Sequence, residues 1–172
     1  MYDPRTGKLR LLRYDRSGNG KVDTYSYMDG ARTIRMEIDR DGDGKIDQWQ
    51  YYDQNERIEK LGFSLRHDGI EDAWAYLDPD GSIMRVESSP RRDSRMSRIE
   101  HYDHTQLTSA EEDTDGDGHV DKWETYTNGR LATVAFDTAH SGIPDRRILY
   151  DAGLGSRVEV SRDGSWVASK PR

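Results

Sequence analysis

Self-similarity constrains this chain more than any other feature. A short mark, usually an aromatic or apolar residue followed by Asp or Asn, returns at Tyr2-Asp3, Met28-Asp29, Tyr52-Asp53, Leu77-Asp78, Tyr102-Asp103, Thr127-Asn128 and Tyr150-Asp151. Successive acids or amides of these marks stand 23 to 26 residues apart. Turn chemistry follows each mark, as in DPRTG, DGA, DPDG and NGR. Asp-Gly and Asn-Gly supply positive φ, and Pro presets the first turn position. Repeats of this length are single supersecondary units that bury their apolar surface only against neighbours.

Between the turns the pattern alternates with period two, which is strand periodicity. Ile34, Met36 and Ile38 are expected on one face, with Arg35 and Glu37 on the other. Val134 with Phe136, and Val158 with Val160, repeat the pattern. A second strand carries an Asp-x-aromatic-x-aromatic core at Asp23-Tyr25-Tyr27, Asp47-Trp49-Tyr51 and Asp72-Trp74-Tyr76, with a partial copy at Asp121-Trp123-Thr125. No useful helical period occurs. The expected fold is all-β: an elongated antiparallel β-meander of about six to seven hairpin repeats with acidic calcium-type loops. Residues 1–172 are expected to form a single β-repeat array, with a degenerate unit around 88–103 and a capping strand or tail at 162–172. Gly153-Leu154-Gly155 reads as a hairpin turn. Aromatic side chains of equivalent strands are expected to stack into a ladder.

The acidic loops carry the chemistry. Asp113 to Glu124, DTDGDGHVDKWE, has the D-x-D-x-D-G-x5-E spacing of a calcium loop. Asp113, Asp115 and Asp117 supply hard oxygens, and Gly118 permits the turn between them and the later ligands. His119 offers its backbone carbonyl, Asp121 binds directly or through water, and Glu124 offers both carboxylate oxygens. Asp39 to Gln50, DRDGDGKIDQWQ, keeps Asp39, Asp41, Asp43, the Lys45 carbonyl and Asp47, but ends in an amide. Asp15 to Ser26, DRSGNGKVDTYS, is the weakest copy, with Asp15, Asn19 and Asp23 as its ligands. The alternative for all three is an Asx-rich turn whose acids satisfy local backbone groups. The turn after Leu65 is read as shortened to RHDGIED. The one after Glu87 becomes SSPRRDSRMSR, and the one after Phe136 is DTAHSGIPD, in which Asp137 and Asp145 keep the outer positions.

Composition narrows the function classes. The 172 residues are 34% charged and 33% hydrophobic, which approaches the profile of a disordered chain. Ten Tyr and four Trp oppose that reading, and with only two Phe they imply a thin core. The net charge of −7 gives no electrostatic reason to expect nucleic acid. The run Arg85 to Arg98, with Arg91, Arg92 and Arg95, reads as a solvated face. The absence of cysteine excludes disulfides and thiolate metal sites. No apolar run approaches membrane-spanning length.

The patterns DRDGDGKIDQWQYY and DTDGDGHVDKWETY resemble those of extracytoplasmic bacterial repeat proteins, many of them lipoproteins, with thrombospondin type 3 or EF-hand-like calcium loops. The intervening YYDQNERIEKLGF and YLDPDGSIMRVE are similar to MORN-like and YD-type hairpin repeats. Strand-like sequence follows each loop, so the calcium ligands carry over and the EF-hand helices do not. The resemblance implies an extracytoplasmic location, with any export segment outside this sequence.

No catalytic motif stands out: there is no G-x-S-x-G and no phosphate loop. His101 and His104 flank a turn without a third zinc ligand. The expectation is a non-catalytic Ca2+-binding module with a structural or adaptor role, whose partner is a protein of a cell-envelope or surface assembly. The alternative is a glycan or cell-wall binding module using Trp49, Trp74 and Trp123 as platforms.

Overall fold

The computed structural model describes residues 1–93, 95–151 and 155–169. All fourteen elements found among them are β-strands. The chain divides into two compact units, Met1–Val86 and Glu87–Arg172. The first contains β1 (Leu11–Tyr14), β2 (Thr24–Asp29), β3 (Arg32–Ile38), β4 (Gln48–Tyr52), β5 (Ile58–Phe63), β6 (Ala73–Leu77) and most of β7 (Ile83–Ser88). The second contains the end of β7, then β8 (Arg98–Asp103), β9 (Gln106–Glu112), β10 (Lys122–Thr127), β11 (Arg130–Phe136), β12 (Arg146–Asp151), β13 (Gly155–Arg162) and β14 (Ser165–Ala168). Within each unit sequence neighbours pair antiparallel, so the architecture is a β-meander of repeated hairpins. β14 gives residues 165–168 of the expected terminal segment a strand paired to β13. The expected turn at Gly153-Leu154-Gly155 lies mostly outside the described residues, as do residues 170–172 of the tail.

Turn chemistry acts where the sequence places it. Asn128 and Gly129 join β10 to β11 in two residues, with φ of 51° and 71°. Positive φ at both central positions matches the right-handed strand twist, which is why Asn-Gly is favoured there. Four hairpins share a feature that simple alternation misses: the register shifts at Tyr27/Met28, Tyr51/Tyr52, His101/Tyr102 and Thr125/Tyr126. Ile34 falls in the first of these bulges and is 42% exposed. It therefore does not continue the ladder face of Met36 and Ile38, which pair with Ser26 and Thr24. A bulge adds one unpaired residue, and period-two counting fails across it.

The core is more polar than apolar. Among the described residues Ile38, Trp49, Ala73, Ala75, Ala110 and Val134 are the buried apolar side chains. Twice as many buried side chains are polar or charged, and most of these lie at the ends of the acidic loops. The expected aromatic ladder does not form by direct stacking. Trp49 pairs with Glu37 on one side and Gly62 on the other, and Gly62 pairs with Trp74. Rings on equivalent strands are thus two strand spacings apart, roughly 9.5 Å. Cations occupy part of the gaps: Arg35 lies over the Tyr27 ring at 4.5 Å and Lys60 over Tyr51 at 3.9 Å.

Candidate metal centre

Six connections between the hairpins share one nine-residue frame, 15–23, 39–47, 64–72, 89–97, 113–121 and 137–145. In each, the ninth residue's N–H returns to the strand before the loop, as in Asp47 to the Ile38 carbonyl (3.0 Å) and Asp121 to the Glu112 carbonyl (3.0 Å). The first residue of a loop bonds the ninth of the preceding one within a unit: Asp39 N–H to the Asp23 carbonyl (2.9 Å), and Asp137 N–H to the Asp121 carbonyl (2.9 Å). The turn after Leu65 is therefore not shortened. Ser64 and Asp72 hold its ends as Asp39 and Asp47 hold theirs, and the Ser97 N–H closes loop 89–97 on the Ser88 carbonyl at 2.8 Å. The sequence signal was the fixed eight-residue offset between Asp or Ser positions, which the missing acids obscured.

Side chains close the frame from within. Asp113 Oδ1 and Oδ2 accept the N–H groups of Gly116 and Gly118. Asp39 does the same for Gly42 and Gly44 at 2.7 and 2.8 Å, and Asp15 for Gly18 and Gly20 at 2.6 Å each. Gly118 shows why glycine is needed: its φ of 94° lies in the left-handed region that side chains with a Cβ rarely adopt. The ninth residue accepts N–H groups from the start of its loop, Asp23 from Arg16 and Ser17, Asp47 from Arg40, and Asp121 from Thr114. The amides of Gly20, Gly18 and Asn19 hold Asp15 below its usual range, and those of Arg16 and Ser17 hold Asp23 there. Burial pushes the Asp113 carboxyl up, but the Gly116 and Gly118 amides and Arg91 outweigh it.

Asp72 is 1% exposed, and its Oδ1 accepts the Leu65 N–H at 2.8 Å. Asp72→Ala is expected to cost about 1 kcal/mol by removing the acceptor of the Leu65 amide, although loop 64–72 lacks the acids of a calcium loop. Urea unfolding with and without calcium checks this, the loss being the same in both.

The inner acids point outward. Asp41 and Asp43, and likewise Asp115 and Asp117, each accept one N–H two residues on, the last being those of Lys45 and His119. Asn19 Oδ1 is used in the same way by the Lys21 N–H at 2.8 Å. Oxygens of Asp39, Asp41 and Asp43 lie within 4.8 Å of one another, and so do those of Asp113, Asp115 and Asp121. A carboxylate has about four acceptor sites, so these internal bonds leave capacity for a cation. The clusters can coordinate a metal ion in general.

Glu124 stands apart from the loop. It lies in β10 with Oε2 bonded to Arg98 (2.7 Å) and Tyr126 (2.9 Å) and Oε1 to Lys122 (2.8 Å). Strand alternation directs it to the Ala110–Val134 row, and not to the bidentate position expected at the end of the loop. Burial raises its pKa, but Arg98, Lys122 and Tyr126 prevail and push it down to about 2. Its contribution is thus complete above the ordinary value of 4.5 and is lost as pH falls toward 2. Melting curves across that window are expected to show the loss, and Glu124→Gln to flatten it.

Arg91 and Arg95 are exposed, as a solvated face would be, and also bond a neighbouring loop. Arg91 donates to the Asp113 and Thr114 carbonyls at 2.9 and 2.7 Å, and Arg95 to the Asp117 carbonyl. A histidine reaches each of the two most acidic loops from the loop that follows it. His67 Nδ1 is 3.2 Å from Asp47 Oδ1, and His140 Nδ1 is 3.5 Å from Asp115 Oδ2. Sequence reading missed both, because each is the fourth residue of a loop that lacks the full acid set.

Among the described residues no helix is long and apolar enough to cross a membrane. No family model matches the sequence, and no curated protein matches it. Among solved structures, the chain is similar to a chain in the crystal structure of accessory secretory protein 1,2 and 3 in Streptococcus pneumoniae, with 14% identity and a TM-score of 0.32. The match covers 75% of this chain and 20% of that one, so it spans about a fifth of that protein's length. At that score the likeness carries no argument about role.

Proposed function

We propose that this chain is a non-catalytic calcium-binding β-repeat module with a structural or adaptor role in an extracytoplasmic protein assembly. The observation that carries the reading is the convergence of oxygens in loops 39–47 and 113–121. Calcium binds oxygens at about 2.3–2.6 Å, so two ligands of one ion lie no more than roughly 5 Å apart, and both clusters meet that limit. Oxygen-only donors and flexible, exposed inner acids suit calcium over magnesium, which demands a tight octahedron. With Glu124 held by Arg98 and Lys122, loop 113–121 binds through Asp113, Asp115, Asp117, Asp121 and the His119 carbonyl. That argues for a weak site of the extracellular class, roughly 10⁻⁴ to 10⁻³ M, which favours an exported protein.

The glycan reading is the less favoured one, resting on the half-buried Trp74 and Trp123. Trp49 is 7% exposed, and cations lie over Tyr25, Tyr27, Tyr51 and Tyr76. The test is a calcium titration of the wild type against Asp41→Ala and Asp115→Ala. Each variant is expected to lose one class of site. Wild-type protein that binds no calcium at millimolar concentration would overturn the proposal.

A further inference from the structure

The geometry points to a second kind of metal site, built between consecutive loops and suited to a borderline transition metal of the zinc class. In the first unit, donor atoms of Asp41, Asp47 and His67 lie within 4.8 Å of one another. His67 Nδ1 is 3.2 Å from Asp47 Oδ1 and 4.0 Å from Asp41 Oδ2. In the second unit Asp115, Asp117 and His140 form the equivalent group, with His140 Nδ1 3.5 Å from Asp115 Oδ2. The histidine comes in each case from position four of the following loop, so one ion would clamp two repeats together.

Three features favour zinc over calcium here. An imidazole nitrogen with two carboxylates is a zinc donor set, whereas calcium takes oxygens. Zinc ligands at about 2.0–2.2 Å in a tetrahedron stand roughly 3.4 Å apart, close to the separations found. Each group also borders a cavity between its loops. One of 460 Å³ is lined by Asp41, Asp47 and His67, and one of 190 Å³ by Asp117, His119 and His140 with Asp121 and Asp137. Both leave room for water at a fourth position. His67 and His140 share positive φ, 53° and 52°, and their side chains are 70% and 58% exposed, so each ring can settle onto an ion without disturbing the strands.

The histidines separate this inference from calcium binding, since neither imidazole belongs to the calcium set, whereas Asp41, Asp47, Asp115 and Asp117 are shared, so the two ions compete for them. The experiment is isothermal titration of the full chain, freed of metal, with zinc chloride and separately with calcium chloride. His67→Asn, His140→Asn and the double variant are compared, asparagine being chosen because it tolerates positive φ. Wild type is expected to take up two zinc ions, each single variant one, and the double variant neither, while calcium uptake stays at the wild-type level in all four. A double variant that binds zinc with wild-type stoichiometry and affinity would overturn the inference, because the metal would then sit elsewhere. Wild type that takes up no zinc would overturn it too, whatever its calcium isotherm.

Discussion

Replacing Arg98 by methionine will lower stability by roughly 1–3 kcal/mol, between the cost of breaking an exposed ion pair and a buried one, since the cluster is half-buried. Arg98 bonds Glu100 at 2.8 Å, Glu112 at 3.1 Å and Glu124 at 2.7 Å. Without it Glu112 and Glu124 share Lys122, which lies 3.0 Å from the first and 2.8 Å from the second, and Glu100 keeps the Tyr102 hydroxyl at 2.8 Å. Methionine preserves much of the side-chain volume, so the loss reports charge and not packing. The variant's calcium isotherm is expected to match the wild type, because strand pairing keeps Glu124 on the Ala110–Val134 row with or without Arg98. Unchanged stability in urea would show that the cluster is a solvated surface pair.

Calcium at a hundred times its dissociation constant will add roughly 2.7 kcal/mol per site. The physical source is the inner acids: two unit charges 4 Å apart repel by about 1 kcal/mol in water, and a bound cation turns that repulsion into shared attraction. Asp115→Ala is expected to remove most of the calcium-dependent stabilisation of loop 113–121. Asn19→Ala is expected to change it little, because loop 15–23 holds only Asp15 and Asp23 as acids. Asp39 and Asp113 also each accept two glycine amides within their own loops, so substitutions at these two would lose backbone bonds as well as ligands.

The hairpin fold was legible because its signals are local. Period-two strands and Asp-Gly or Asn-Gly turns each specify backbone geometry within a few residues, and the strands fall where those signals lie. The frame common to the six loops was harder to read. Ser64 and Ser89 hold the first position of their loops, where Asp39 stands in its own, and a search for acids passes over serine. The bulges were invisible to alternation, so Ile34 was assigned to the wrong face. Contacts between loops lay beyond sequence spacing altogether: Arg91 and Arg95 reach loop 113–121 from 22 or 23 residues away, and His67 reaches Asp47 from 20. Glu124 matched the calcium pattern in position. Its place in β10 turns it onto a strand face, where its partner Arg98 lies 26 residues distant.

The most direct test of the account is the melting temperature of the wild-type chain in millimolar calcium and in excess chelator, read beside the Asp41→Ala, Asp115→Ala double variant. The wild type is expected to melt cooperatively as a β-protein in chelator and several degrees higher in calcium, with the double variant matching the chelator curve in both. Superimposable wild-type curves would mean that the carboxylates serve only their own backbone amides, and the calcium reading would fail.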